Sequence, residues 1–456
     1  MQIRFDRGTI LIDPSRSTVE PAQLPGVAWD PRVGAWRAPA EAYASLVARL
    51  SVAEPRLEDP TPDHRTSTAG WATPELRWYQ RDALAAWGAA RHRGVIALPT
   101  GAGKTMVAIA AIASCGVSAL CLVPTRLLLD QWANVLARHV REVGRIGDGE
   151  CCVAPVTVAT YASAITWAAR IGDRFGLVIV DEAHHVGAEC PGEVLEMLVA
   201  SARLGLTATP PLGEAARALE RHLGAVVYAL AIDDLVGDAL AAFDLVTIPI
   251  RLSDEERARY AGARAVFSPA YAAFRRAAPG ASWDAFVRAA MRSDAGRLAV
   301  AAWRRARELL AYPEDKRRVL RALLVRHADQ RTLVFTQDNR TAYEIAREFL
   351  VYPITHEIGR RERAAALERF NAGDANVLVS AQVLDEGLDV PAAEIAIIVG
   401  GSASARRHVQ RIGRVLRPAP GKQARVYELA VSDSVEVEHV RRRRGGLRGG
   451  AGERAP

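Results

Sequence analysis

Short, wholly apolar runs punctuate this chain between stretches of helical spacing. From residue 73 to about 231 they fall at 95–98, 119–123, 156–159, 177–180 and 204–206. Strands that are apolar on both faces and alternate with helices predict a parallel sheet covered on both sides. The rhythm returns at 332–335, 377–379, 395–399 and 426–429, which predicts a second α/β domain. Between the two, residues 254–312 carry no strand signal and are rich in Ala and Arg with scattered aromatics, so a helical insertion is expected. Residues 1–60 read as a small α/β unit, with strands at 3–5 and 9–12, a segment 27–36 that can pair with them, and an amphipathic helix over 40–50. Residues 61–72 are polar and turn-rich, as a linker is. The expected domains are therefore 1–60, 73–235 after the linker, and 236–432. A tail, 433–456, holds the run Arg441-Arg-Arg-Arg444 and a glycine-rich end and is predicted to be disordered.

Bulk properties narrow the class. A chain of 456 residues, 50% hydrophobic and 24% charged, has an ordinary globular composition spread over two or more domains. No apolar stretch approaches the roughly 20 residues that a membrane helix needs. The start, Met1-Gln-Ile-Arg-Phe-Asp6, lacks the apolar core of a secretory signal. The 5 cysteines are odd in number and form no C-x-x-C pair, so reduced thiols in a cytoplasmic protein are expected rather than a disulfide or zinc framework. A net charge of +7 suits a polyanionic partner without establishing one.

Three of the 59 basic residues are lysines, and one, Lys104, sits in Leu98-Pro-Thr-Gly-Ala-Gly-Lys-Thr105. An apolar run precedes this segment and a helical stretch follows it. A glycine-rich turn in that setting aims backbone N–H groups and a helix dipole at a polyphosphate. Thr100, Gly101, Ala102 and Gly103 would form the cradle, Lys104 would contact the terminal phosphates, and the Thr105 hydroxyl would coordinate Mg²⁺. Leu98 stands where the general phosphate-loop pattern has its first glycine. The run 177–180 leads into Asp181-Glu-Ala-His-His185, and a carboxylate at the carboxyl end of a parallel strand opens into the ligand crevice of such sheets. Asp181 is the expected Mg²⁺ ligand, Glu182 the general base for the attacking water, and His184 a hydrogen-bonding coupler. Taken alone, the same acidic strand end could simply cap a helix; the phosphate loop favours the catalytic reading. In Gln410-Arg-Ile-Gly-Arg-Val-Leu-Arg417, Arg414 and Arg417 share a helix face, as arginine fingers or a solvated basic face would. Gly413 and Gln410 favour the finger.

These segments, with LRWYQ (76–80), VPTR (123–126), GLTATP (205–210), LVFTQ (333–337) and VLDEGLDVP (383–391), follow the order of superfamily 2 helicase motifs. With ITHEIGRRER (354–363) and WDPRVGAWRAPA (29–40) included, the chain resembles the XPB helicase family in its compact archaeal and bacterial form, over nearly everything but the tail. The resemblance implies two RecA-like lobes, a damage-recognition-like amino-terminal domain and a thumb-like helical insertion. It also implies ATP-dependent 3′→5′ movement on DNA, in DNA repair and close to the nucleoid. On that basis Arg77 and Gln80 read adenine, Gly387 and Asp389 contact the nucleotide, Thr207 and Thr209 couple hydrolysis to lobe movement, and Arg126, Thr160 and Thr336 track one DNA strand. The expected partners are single-stranded and distorted duplex DNA, with a partner nuclease. The family commonly carries an Arg-Glu-Asp triplet after its TATP motif, whereas this chain has Pro211-Leu-Gly-Glu214. Two rival readings follow: a double-strand translocase that never separates strands, and an ATP-gated scaffold that recruits a nuclease.

Overall fold

The computed structural model describes the chain apart from residues 16, 18, 54–56, 67, 69–70, 238–240, 242, 382–392, 402–403, 405–407, 409–410, 414–423 and 446–456. It divides into two compact units, Met1–Ala231 and Ile232–Pro456.

The first unit begins with a four-stranded antiparallel sheet of β1 (Gln2–Asp6), β2 (Thr9–Asp13), β3 (Ala28–Asp30) and β4 (Ala35–Pro39), in the order β1-β2-β4-β3. The β1–β2 hairpin closes through Arg7 and Gly8, both at positive φ (49° and 86°), as a tight two-residue turn between right-twisted strands requires. The segment 27–36, expected to pair with these strands, supplies β3 and the start of β4, with Gly34 (φ 61°) turning the chain between them. A single helical turn Ala40–Ala42 and the helix Tyr43–Ala53 then bury Leu46 and Leu50 against Ile3, Ile10 and Ile12. Val199 of the following lobe completes this core.

The predicted linker is bound to that lobe at several of its described residues. Ser118 N–H donates to the His64 carbonyl at 2.7 Å, Thr66 N–H to that of Gly116 at 3.0 Å, and Ala72 N–H to that of His139 at 2.9 Å. Its polar composition hid this, since backbone pairing leaves no trace in side-chain pattern.

The lobe's eight strands are β5 (Arg93–Ala97), β6 (Ala119–Val123), β7 (Val143–Gly147), β8 (Glu150–Cys152), β9 (Val156–Thr160), β10 (Leu177–Val180), β11 (Ala202–Thr207) and β12 (Val226–Ala229). They lie in the order β12-β5-β11-β10-β6-β9-β7-β8, parallel except for the β7–β8 hairpin. The five central strands match the apolar runs. The outer three escape that pattern: β7 contains glycines and Arg145, β8 is exposed and β12 half-exposed.

Among its described residues the second unit holds six parallel strands: β13 (Phe243–Ile250), β14 (Thr332–Phe335), β15 (Tyr352–Ile354), β16 (Val377–Ser380), β17 (Ile395–Ile398) and β18 (Ala424–Val431). Their order is β13-β18-β17-β14-β16-β15. Both edge strands carry a proline, Pro249 and Pro353, at the one place in a sheet where a missing N–H is tolerated. Those prolines made both strands illegible as apolar runs. The helical insertion is present as the helices Asp254–Ala277, Trp283–Ala290 and Asp294–Ala311. Ser253, Ser282 and Ser293 cap them, and Phe267, Phe286 and Val300 form a core with Tyr271 and Trp283.

One expectation is corrected here. The tail is not disordered from residue 433: a helix runs Val435–Gly445. Glu436 pairs with the fully buried Lys316 at 2.8 Å, and buried Arg443 pairs with buried Glu428 at 3.3 Å. Charges in this segment dock the helix instead of leaving it disordered.

Candidate active site

Three neighbouring strands, β5, β11 and β10, deliver the predicted chemistry of the first unit at their carboxyl ends. The chain leaves β5 through Leu98, whose N–H donates to the Thr207 carbonyl at 3.0 Å. It enters the helix Lys104–Cys115 through Gly101 and Gly103, at φ 87° and 76°. Both values lie where a Cβ is strained, so the tight loop demands glycine. At Gly103 a Cβ would also stand 2.5 Å from Gln80 Nε2.

That contact shows what shapes the loop from behind. Gln80 Nε2 donates to the Ala102 carbonyl at 2.8 Å, and the Tyr79 hydroxyl donates to the same oxygen at 2.9 Å. Gln80 Oε1 accepts the Arg77 backbone N–H at 2.9 Å, which caps the helix Trp78–Ala89. Gln80, expected to read adenine, thus braces the phosphate loop with its own amide. Lys104 Nζ donates to the Leu98 carbonyl at 3.3 Å, a long bond that a phosphate oxygen can replace. The Thr100 hydroxyl is buried without a hydrogen-bond partner among the described residues, the mark of a group waiting for a ligand.

Asp181 follows β10 directly. Its Oδ2 accepts the Trp132 indole N–H at 2.8 Å and its Oδ1 the Glu182 N–H at 3.0 Å. Burial pushes its carboxyl above the ordinary range, while the Lys104 ammonium, the indole and the amide pull it back. A buried oxygen donor opposed by a single ammonium, with the Thr105 hydroxyl on the first turn of the loop's helix, suits a hard divalent cation such as Mg²⁺. The Tyr161 hydroxyl donates to the Asp181 carbonyl and holds the strand end in place.

Glu182 adopts φ 48°, a left-handed conformation rare outside glycine and concentrated at functional sites. Its Oε2 lies 3.4 Å from His184 Nδ1, which in turn lies 3.1 Å from the Thr207 hydroxyl. Thr207 Oγ1 donates to the Thr209 carbonyl and accepts the Thr209 N–H, both at 3.2 Å. A chain of polar contacts therefore joins the candidate base to the TAT segment, with His184 and Thr207 both buried.

The expected DNA-tracking residues are not gathered in this way. Arg126 is exposed and pairs with Asp148 at 2.8 Å. Thr160 and Thr336 both turn their hydroxyls inward. Thr160 caps the helix Tyr161–Ile171 and bonds the Ser163 hydroxyl at 2.8 Å, and Thr336 is fully buried with its hydroxyl on the Asp338 carbonyl at 2.9 Å. Each sits where a strand gives way to a helix, and threonine there satisfies local backbone first. Gly387, Asp389, Gln410, Arg414 and Arg417 lie outside the described residues.

Two buried residues that the motifs did not single out stand out, one in each unit. Trp132 orients Asp181, and no spacing signal announced it. Arg411 is buried and donates to the carbonyls of Ala381 (2.7 Å), Thr336 (3.3 Å) and Gly400 (3.3 Å), with its guanidinium 5.1 Å from the Phe335 ring. It ties residues 411–413 to the strand ends of the second unit. Its place three residues before Arg414 was the available clue.

The chain resembles known families and proteins over most of its length. Residues 3–60 match the family described as "Xeroderma pigmentosum group B helicase damage recognition domain". Residues 73–212 match "Type III restriction enzyme, res subunit", and residues 315–419 match "Helicase conserved C-terminal domain". The chain is 33% identical to "DNA 3'-5' translocase XPB2" of Sulfurisphaera tokodaii over 97% of its own length and 99% of the relative's. It is 28% identical to "DNA 3'-5' helicase XPB" of Mycobacterium tuberculosis, over 82% of its length but 63% of that protein's. Against "Putative DNA 3'-5' helicase Rad25" of Halobacterium salinarum the identity is 31%, and the match covers 81% of this chain and 56% of the relative. The helicase domain of Pyrococcus furiosus Hef shares the fold at a TM-score of 0.54 and 20% identity, covering 80% of this chain and 97% of that one. Damage-recognition domain, two helicase domains and a near full-length relative coincide on one sequence, and the chain belongs to the XPB family of superfamily 2 helicases.

Proposed function

We propose that this protein is an ATP-driven 3′→5′ DNA translocase and helicase that remodels duplexes in DNA repair. The observation that carries the reading is the convergence of Lys104, Asp181, Glu182, His184 and Thr207 on three adjacent strand ends. In this reading the phosphate loop and Lys104 bind the triphosphate of ATP, and Glu182 takes the proton of the attacking water. His184, Thr207 and Thr209 pass the change at Glu182 to the strand β11. Asp181 and Thr105 hold Mg²⁺, which when bound neutralises charge on the β- and γ-phosphates. Gly387 and Asp389 contact the nucleotide and Arg414 and Arg417 meet the transferred phosphoryl group, with Arg411 and Gln410 supporting that segment. Arg126 and other exposed arginines contact phosphates rather than bases, which predicts little sequence preference and steep salt dependence.

A second reading has its own support. In place of the Arg-Glu-Asp triplet, Pro211-Leu-Gly213 forms an exposed loop in which Leu212 is 90% exposed. That favours translocation on duplex DNA without strand separation. A strand-displacement assay on a duplex with a 3′ overhang separates the two: release of the strand supports the helicase, whereas robust DNA-stimulated ATPase without release supports the translocase. A scaffold that only gates recruitment of a nuclease needs neither a base nor fingers, and ATP turnover that depends on Glu182 and Arg414 would exclude it.

A further inference from the structure

Where the amino-terminal sheet domain meets the first lobe, three side chains able to ligate a metal converge from three elements. Glu41 stands on the turn Ala40–Ala42, Glu196 ends the helix Gly192–Glu196, and His222 lies in the last turn of the helix Glu214–Leu223. One ligand atom from each lies within 4.8 Å of the others. His222 is 5% exposed, and its Nδ1 is buried without a hydrogen-bond partner among the described residues. That nitrogen points to Glu41 Oε2 across 3.9 Å, too far for a hydrogen bond. Leaving a buried ring nitrogen unpaired is unfavourable unless another group meets it. Gly192 keeps space for the ring, since a Cβ there would come within 2.5 Å of His222 Nε2.

The neighbouring arginines do not fill this role. Arg203, fully buried, donates to the carbonyls of Ala200, His222, Leu195 and Leu198 at 3.0–3.1 Å. It reaches Glu41 Oε2 only at 3.7 Å, so it acts on that carboxylate through charge. Arg93 likewise spends a donor on the His222 carbonyl, at 3.4 Å. Two carboxylates and two guanidiniums leave the surroundings near neutrality. We propose that Glu41, Glu196 and His222 form a divalent-metal site of the zinc class that staples the amino-terminal domain to the first lobe. One imidazole with two carboxylates matches the donors zinc accepts, and the partly exposed carboxylates leave an open side for a solvent ligand. Arg203, beside the site, is the second residue of β11, whose far end carries Thr207; the staple would fix the amino-terminal domain to that same strand.

The test uses the full chain, stripped with a chelator, without nucleotide, and with the exposed Cys151 and Cys152 changed to serine so that thiols do not compete. Titration with Zn²⁺ should show one equivalent bound, with affinity reduced about a hundredfold or more in Glu196→Gln and His222→Gln. Co²⁺ should give a visible absorption band that both variants lose, and Zn²⁺ should raise the melting midpoint of the parent alone. If His222→Gln does not fold, Glu196→Gln decides the matter from the more exposed side of the site. Zn²⁺ affinity in the parent no greater than in Glu196→Gln, or no binding at all, would overturn the proposal and leave the cluster an ion network only.

Discussion

Glu182 and Asp181 are consecutive in sequence yet sit in different electrostatic settings, and the assignment of roles rests on that difference. Asp181 is buried, with both oxygens hydrogen-bonded and Lys104 opposing it, as a metal ligand must be held. Glu182 is displaced by its left-handed backbone and leans on His184. Glu182→Gln should therefore keep ATP binding and lower turnover about 10²–10⁴-fold, the usual contribution of a positioned base. Single-turnover ATPase with parallel nucleotide binding checks this, and near-parental turnover would remove the base assignment. Asp181 also predicts a pH dependence. Its carboxyl is raised above the ordinary value of 3.8, and the ionised form is the one that holds a cation. Activity should be full above the raised pKa and lost as pH falls through it. Trp132→Phe removes the bond to Oδ2 and disfavours the carboxylate further, so the acid limb of the ATPase profile should move to higher pH. An unmoved limb would mean that another group governs it.

At the level of elements, what the sequence made legible follows from which signals are local. The phosphate loop and the strand leading to Asp181 are contiguous runs with fixed spacing, and both stand where they were expected. The inner strands are apolar on both faces, so they too were readable. Edge strands with proline or glycine, and the docked linker, are stabilised by backbone pairing or by partners far along the chain, which a pattern of side chains does not encode. Thr160 and Thr336, whose hydroxyls bond locally, make a related point: motif membership names a position but not the direction its side chain takes. Arg411 shows the reverse case, a cation used as an internal brace. Arg411→Met should leave three carbonyls without their donor and lower stability by about 2–4 kcal/mol, and it should depress ATPase more than nucleotide binding. Arg411→Lys should not rescue it, since one ammonium cannot replace the planar fork. Denaturant unfolding together with ATPase measures both effects. The carboxy-terminal helix makes a similar prediction: Lys316→Met strands the Glu436 carboxylate in a buried site and should cost about 3–5 kcal/mol.

Across the whole molecule, two parallel-sheet units, a helical insertion and a small sheet domain share one chain with a net charge of +7. The described candidate nucleotide residues belong to the first unit, while the proposed arginine fingers belong to the second, so turnover is expected to require both. Contacts to phosphates should make DNA affinity fall steeply with salt, with similar slopes for unrelated sequences. A strong preference for one sequence at fixed ionic strength would point instead to reading of base edges. The account as a whole holds that ATP cleavage in this chain is tied to a bound polynucleotide. Steady-state ATP turnover of the purified protein, with and without single-stranded DNA, duplex DNA and RNA, tests that tie most directly. It should rise sharply with DNA and remain low with RNA or alone; equal rates with and without any polynucleotide would contradict it.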